Sequence, residues 1–106
     1  MGEATDMIVR IFSTAVDPED VDRGNQIFKA EVAPVFSDFP GCHGIEWFVG
    51  LEEHAGDFVD VTAISRWDSM EDIEKATATR DYDQALAKLR ELFRQTPIVH
   101  HYRTLD

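Results

Sequence analysis

IEWFVGLE (residues 45–52) and FVDVTAISRW (residues 58–67) decide the fold of this chain. In both runs apolar and polar positions alternate with a period of two, the spacing at which successive strand side chains fall on opposite faces. Ile45, Trp47, Val49 and Leu51 share one face of the first run. Val59, Val61 and Ala63 form the greasier face of the second, with Asp60, Thr62 and Arg66 opposite. The five residues between the runs, 53–57, include a glycine and suit a hairpin connection. The centre of the chain is therefore read as two adjacent antiparallel strands.

The flanks supply a strand and helical segments on each side. Residues 7–14 alternate again and are rich in β-branched side chains, which predicts an opening strand. Asp17-Pro18-Glu19-Asp20 has the chemistry of a helix start: a capping carboxylate, proline at the first position and acidic groups against the positive end of the helix dipole. Val21, Phe28, Val32, Val35 and Phe36 continue it, and Pro34 is expected to kink or end it because it has no N–H. Pro40-Gly41 marks a turn. Ser69, with Asp72 three residues on, predicts a capped short helix to about Thr77. Tyr82, Ala85, Leu86, Leu89, Leu92 and Phe93 form the apolar stripe of a second helix from about Asp81, and residues 98–104 make the last strand.

The order is β-α-β-β-α-β, the ferredoxin-like split arrangement: an α+β domain with one four-stranded antiparallel sheet and helices on a single face. The whole chain, 1–106, reads as one domain, with residues 1–6 expected to fray. The other sheet face needs a cover. Alternation assigns Ile8, Arg10, Phe12, Phe48, Phe58 and Ile64 to it, too large an apolar patch to leave wet. A second copy is the expected cover, so the chain is read as a homodimer.

Charge bounds the partners. Ten basic against 21 acidic residues give a formal net charge of −11. With no basic cluster, neither nucleic acid nor an anionic membrane surface is an expected partner. The single cysteine, Cys42, the lack of a 20-residue apolar run and the lack of a signal pattern are read as cytoplasmic.

On these residues the chain resembles the antibiotic biosynthesis monooxygenase domain family of the dimeric α+β barrel superfamily. The likeness spans about residues 7–105. It rests on Cys42-His43-Gly44 leading into the second strand, Arg66-Trp67 followed by Asp68-Ser69-Met70-Glu71-Asp72, Tyr82 at a helix start, and His100-His101-Tyr102 on the final strand. The resemblance implies facing sheets in a dimer and a pocket between sheet and helices, lined by the tryptophan. It implies oxidation of a small planar aromatic, a quinol or phenolic, by molecular oxygen with no cofactor. The haem-degrading branch carries a histidine on the helix after the tryptophan and an asparagine on the first strand; residues 69–95 hold no histidine and residues 7–14 no asparagine.

The expected catalytic residues are therefore Trp67, Tyr82 and His101, and the expected substrate contacts Trp47, Trp67, His100 and Arg66. Each has an ordinary structural alternative: Trp67 a core plug at the helix–sheet junction, Tyr82 a packed ring with its tip wet. His100 and His101, as strand neighbours, face opposite ways and cannot chelate one metal together. His43 and His54 flank the second strand without further ligands at zinc spacing, so no metal site is expected. Cys42 reads as an inert turn residue. Arg10 and Arg66 are candidate anion contacts, with pairing to Asp60 or Glu46 the ordinary alternative. The second functional reading is a non-catalytic dimeric module for a small hydrophobic ligand; an isomerase-like or stress-related relative is a third.

Overall fold

The computed structural model of the chain describes residues 7–52 and 57–105. The expectations for the N-terminal six residues, for His54 and for most of the hairpin connection lie outside these.

The strands are β1 (Ile8–Val16), β2 (Cys42–Val49), β3 (Val59–Trp67) and β4 (Ile98–Arg103), joined in one antiparallel sheet of order β2-β3-β1-β4. This is the ferredoxin-like topology expected from the element order. β2 begins at Cys42, earlier than the alternation indicated. Gly44, at φ +128°, carries a register shift between Cys42 and Ile45 that hides the first strand residues from a period-two reading. Gly41, at φ +81°, takes the chain around the preceding turn, and its carbonyl accepts from the N–H of Asp68 over 2.9 Å.

Between β1 and β2 a 3-10 turn (Pro18–Asp20) leads into α1 (Val21–Ile27), a π-helical turn (Phe28–Val32) and α2 (Ala33–Asp38). Pro34 does not end this helix. The ladder widens ahead of the proline, so that the N–H of Ala33 reaches the carbonyl of Phe28 five residues back. α3 (Met70–Thr77) is capped as expected: Ser69 Oγ accepts from the N–H of Asp72 over 3.1 Å. α4 (Arg80–Arg90) is capped by Thr79, whose Oγ1 accepts from the N–H of Tyr82 over 3.1 Å.

Cross-strand partners point to the same face, so register fixes the faces. One row runs Ile45, Ser65, Arg10, His101 across the four strands; the next runs Trp47, Ala63, Phe12, Val99. Trp67 and Ile8 begin a further row. These rows meet the helices and form the core with Val16, Val32, Phe36, Val61 and Leu89. Ile8, Arg10 and Phe12 therefore lie on the helix side, correcting their assignment to the open face. A one-residue choice of parity moves every side chain of a strand across the sheet, and β1 has apolar groups on both faces. Val9 and Ile11 replace them on the open face, beside Phe48, Ile64, Ile98 and Tyr102. Phe48 is 46% exposed, Ile98 60% and Tyr102 53%. An apolar open face stands, with different members.

Candidate functional site

A cavity of about 20 Å³ lies between sheet and helices, room for about one water. Its floor is the central pair of sheet rows, with Ile45, Ser65 and Arg10 from one and Ala63 and Phe12 from the other. Its roof is Val32 at the end of the π turn, Phe36 on α2 and Leu86 on α4.

Arg10 is the polar centre of this wall. It is 9% exposed, and its Nη2 donates to the hydroxyl of Tyr82 over 3.1 Å. The guanidinium carbon sits 5.8 Å from the Phe12 ring centre and 5.7 Å from that of Tyr82, within cation–π range. Arg90 lies 5.9 Å from the same tyrosine ring. Pairing of Arg10 with Asp60 or Glu46 is corrected by the faces: both carboxylates project from the opposite side of the sheet. Tyr82 is held by the Thr79 cap at its N–H and by Phe36 against its ring, at 5.9 Å. Its tip is buried with the rest of it.

Trp67 is fully buried. Phe36 meets its ring edge-on at 6.1 Å and Phe39 stacks on it at 6.2 Å. Its indole N–H donates to Ser65 Oγ over 2.8 Å, so the tryptophan touches the cavity wall through Ser65. A hydroxyl that accepts from the indole keeps its own proton to donate.

His101 is the cross-strand partner of Arg10 on β4. Desolvation, then the charges of Arg10 and His100, hold its pKa below the ordinary histidine value. The structure thus gathers Tyr82 and His101 around Arg10, with Trp67 one row away. The remaining expected contacts lie apart. His100 and Arg66 are on the open face, and Arg66 Nη1 donates to Glu46 Oε1 over 3.0 Å. Trp47 donates to Asn25 Oδ1 over 2.8 Å and stacks on Phe28 at 5.2 Å. It borders a separate open cleft of about 410 Å³ with Asn25, Lys29 and Val49. His43 pairs with Asp68 over 2.6 Å at the surface. Among the described residues no three His, Cys, Asp or Glu side chains gather as an ion site, and no helix is long and apolar enough to cross a membrane.

Arg10 and Ser65 were the residues that sequence reasoning undervalued. The signal for Arg10 was its place between Ile8 and Phe12 in an alternating strand; the signal for Ser65 was a small hydroxyl between Ala63 and Trp67.

The family pattern described as antibiotic biosynthesis monooxygenase matches residues 7–88. The chain belongs to this family. The match takes in everything from β1 to most of α4, including Arg10, Ser65, Trp67 and Tyr82. No curated protein matches the chain. Among solved structures, a Bordetella bronchiseptica protein proposed to be an antibiotic biosynthesis monooxygenase superposes with a TM-score of 0.77 at 21% identity, covering 94% of this chain and 98% of that one. A conserved Bacteroides thetaiotaomicron protein gives 0.72 at 16% identity, over 95% and 100%. An anthrone oxidase-like protein gives 0.77 at 19% identity; all of this chain covers 47% of that one, about half its length. These identities carry the fold alone.

Proposed function

We propose that this antibiotic biosynthesis monooxygenase-family chain works as a homodimer that binds a small planar phenol or quinol between sheet and helices and oxidises it with molecular oxygen. The observation that carries this reading is the aromatic-walled cavity with the Ser65 hydroxyl on its floor and the Arg10–Tyr82 pair at its side. The name of one fold neighbour, anthrone oxidase-like, fits a planar aromatic.

No residue of the chain need carry electrons. A phenol and O₂ give a quinone and water: one oxygen atom enters the ring, the other leaves as water, and the substrate supplies all four electrons. The side chains bind, orient and exclude water. His101, held neutral, is the proton acceptor; Tyr82 orients the substrate oxygen; Trp67 is a positioning residue acting through Ser65. His100 and Arg66 belong to the dimer face, with Val9, Ile11, Phe48, Ile64, Ile98 and Tyr102.

A ring cannot enter 20 Å³, so the roof must open. The π turn that carries Val32 is the point where the helix ladder is already interrupted. The closed cavity favours a second reading, a dimeric module that holds a small hydrophobic ligand without turnover. Oxygen uptake with a panel of quinols, in the wild type and Tyr82→Phe, separates the two. Uptake that falls at least tenfold in the variant supports the oxygenase. Saturable ligand binding with no uptake for any quinol supports the module. Light scattering tests the dimer, which a stable monomer at micromolar concentration rules out.

A further inference from the structure

We propose that the open cleft beside Trp47 is a ligand site of its own, and that it takes a small planar aromatic carboxylate. The site is independent of the oxygenase reading.

The cleft holds about 410 Å³ and is lined by Asn25, Phe28, Lys29, Glu46, Trp47 and Val49. None of these lines the closed cavity. Ligand sites usually enclose about 300–1,000 Å³, so this cleft admits a one- or two-ring molecule without rearrangement. β2 is an edge strand, and Trp47 pairs with Ala63 in a helix-side row. The indole therefore sits beside α1 and the π turn, on the side of the sheet away from the apolar open face.

The wall is a fixed aromatic surface. Trp47 stacks on Phe28 at 5.2 Å with 22° between the rings, and its N–H donates to Asn25 Oδ1 over 2.8 Å. Phe28 is buried, whereas Trp47 is half-buried. A ring held by a stack on one side and a hydrogen bond at its edge offers a flat ligand a contact with little ordering cost.

The polar groups call for an acceptor. An indole N–H can only donate, so it fixes the oxygen of the Asn25 amide and leaves both amide N–H groups to donate elsewhere. Those N–H groups have no partner among the described residues. Lys29 follows four residues on, the spacing of neighbours on one helix face. Its exposed ammonium forms no ion pair among the described residues, in a chain with 21 acidic side chains. Glu46 supplies a carboxylate to the rim, but Arg66 pairs with it over 3.0 Å and offsets its repulsion of an anion. Two amide donors and a free cation thus flank an aromatic surface. An aromatic carboxylate meets both, its ring on the indole and its oxygens on Asn25 and Lys29.

The test uses 2-naphthoate, 2-naphthamide and cyclohexanecarboxylate with the intact protein. The readout is the pair of indole N–H signals in NMR, assigned with Trp47→Phe. Naphthoate should shift the Trp47 signal saturably, with a Kd of about 1 mM or below, and leave the signal of Trp67 in place. Naphthamide lacks the charge and cyclohexanecarboxylate lacks the flat ring; each should bind at least about fivefold more weakly, the size of one exposed charge contact or one ring contact. Lys29→Met should remove the preference for naphthoate over naphthamide and Lys29→Arg should keep it. Naphthamide binding as tightly as naphthoate, or a preference that survives Lys29→Met, overturns the assignment of a carboxylate. Cyclohexanecarboxylate binding as tightly overturns the planar ring. A shift of the Trp67 signal alone places the ligand in the closed cavity and overturns the site, as does the absence of any shift at about 10 mM naphthoate. The oxygenase reading rests on oxygen uptake, and none of these shifts bears on it.

Discussion

Arg10 on β1 and Tyr82 on α4 are joined by a 3.1 Å hydrogen bond across 72 residues of sequence, and the tyrosine oxygen accepts it. The bond ties the sheet to the helix layer beside the cavity. Tyr82→Phe leaves a buried guanidinium without its acceptor and should cost about 1–3 kcal/mol. The Arg10→Met and Tyr82→Phe changes should be clearly non-additive in urea denaturation, because the second removes a partner the first has already lost.

Trp67 and Trp47 should separate by solvent access. Trp67 is covered completely, whereas Trp47 borders an open cleft. Acrylamide should quench the fluorescence of Trp67→Phe, which retains Trp47, far more than that of Trp47→Phe. Trp67→Ala should destabilise the chain by about 3–5 kcal/mol, the cost of an aromatic-sized void in a core.

His101 should titrate below the ordinary value of about 6.5, because desolvation, Arg10 and His100 all disfavour its charged form. Above that value the ring is neutral in both folded and unfolded chains and costs nothing. As pH falls below it the unfolded chain takes the proton first, so stability is lost towards the depressed folded pKa. NMR titration of the ring should show the pKa rising in Arg10→Met. An unchanged value would separate His101 from the site.

Cys42 should react slowly with thiol reagents at neutral pH. Burial raises its pKa, and a backbone hydrogen bond at Gly44 offsets only part of that. Alkylation slower than that of a free cysteine peptide, and faster after unfolding, is the expected pattern.

Gly41→Ala should destabilise the turn by about 1–3 kcal/mol. Its φ of +81° disfavours a side chain, and a Cβ there would fall on the carboxylate of Asp72 in the first turn of α3. Ser69→Ala should cost about 1 kcal/mol through loss of the α3 cap. Thermal unfolding of the two variants separates backbone strain from capping.

The sequence by itself determined the element order, the two helix starts near Ser69 and Tyr82, and the helix-side faces of β2 and β3. Those follow from period, caps and turns, which are local: Trp47 and Val61 fall on the inner face whatever else the chain does. The tertiary structure decided what locality could not reach. β1 is apolar on both sides, so its inner face follows from pairing with β3 and β4 and packing against distant helices, where Arg10 meets Tyr82. Pro34 read as a kink or a stop, and the helix continues past it through a π turn, with Val32 and Phe36 packed in the core. A buried arginine whose Nε–H has no partner among the described residues depends on register and on which groups pack around it, and neither is written in any short stretch of the chain.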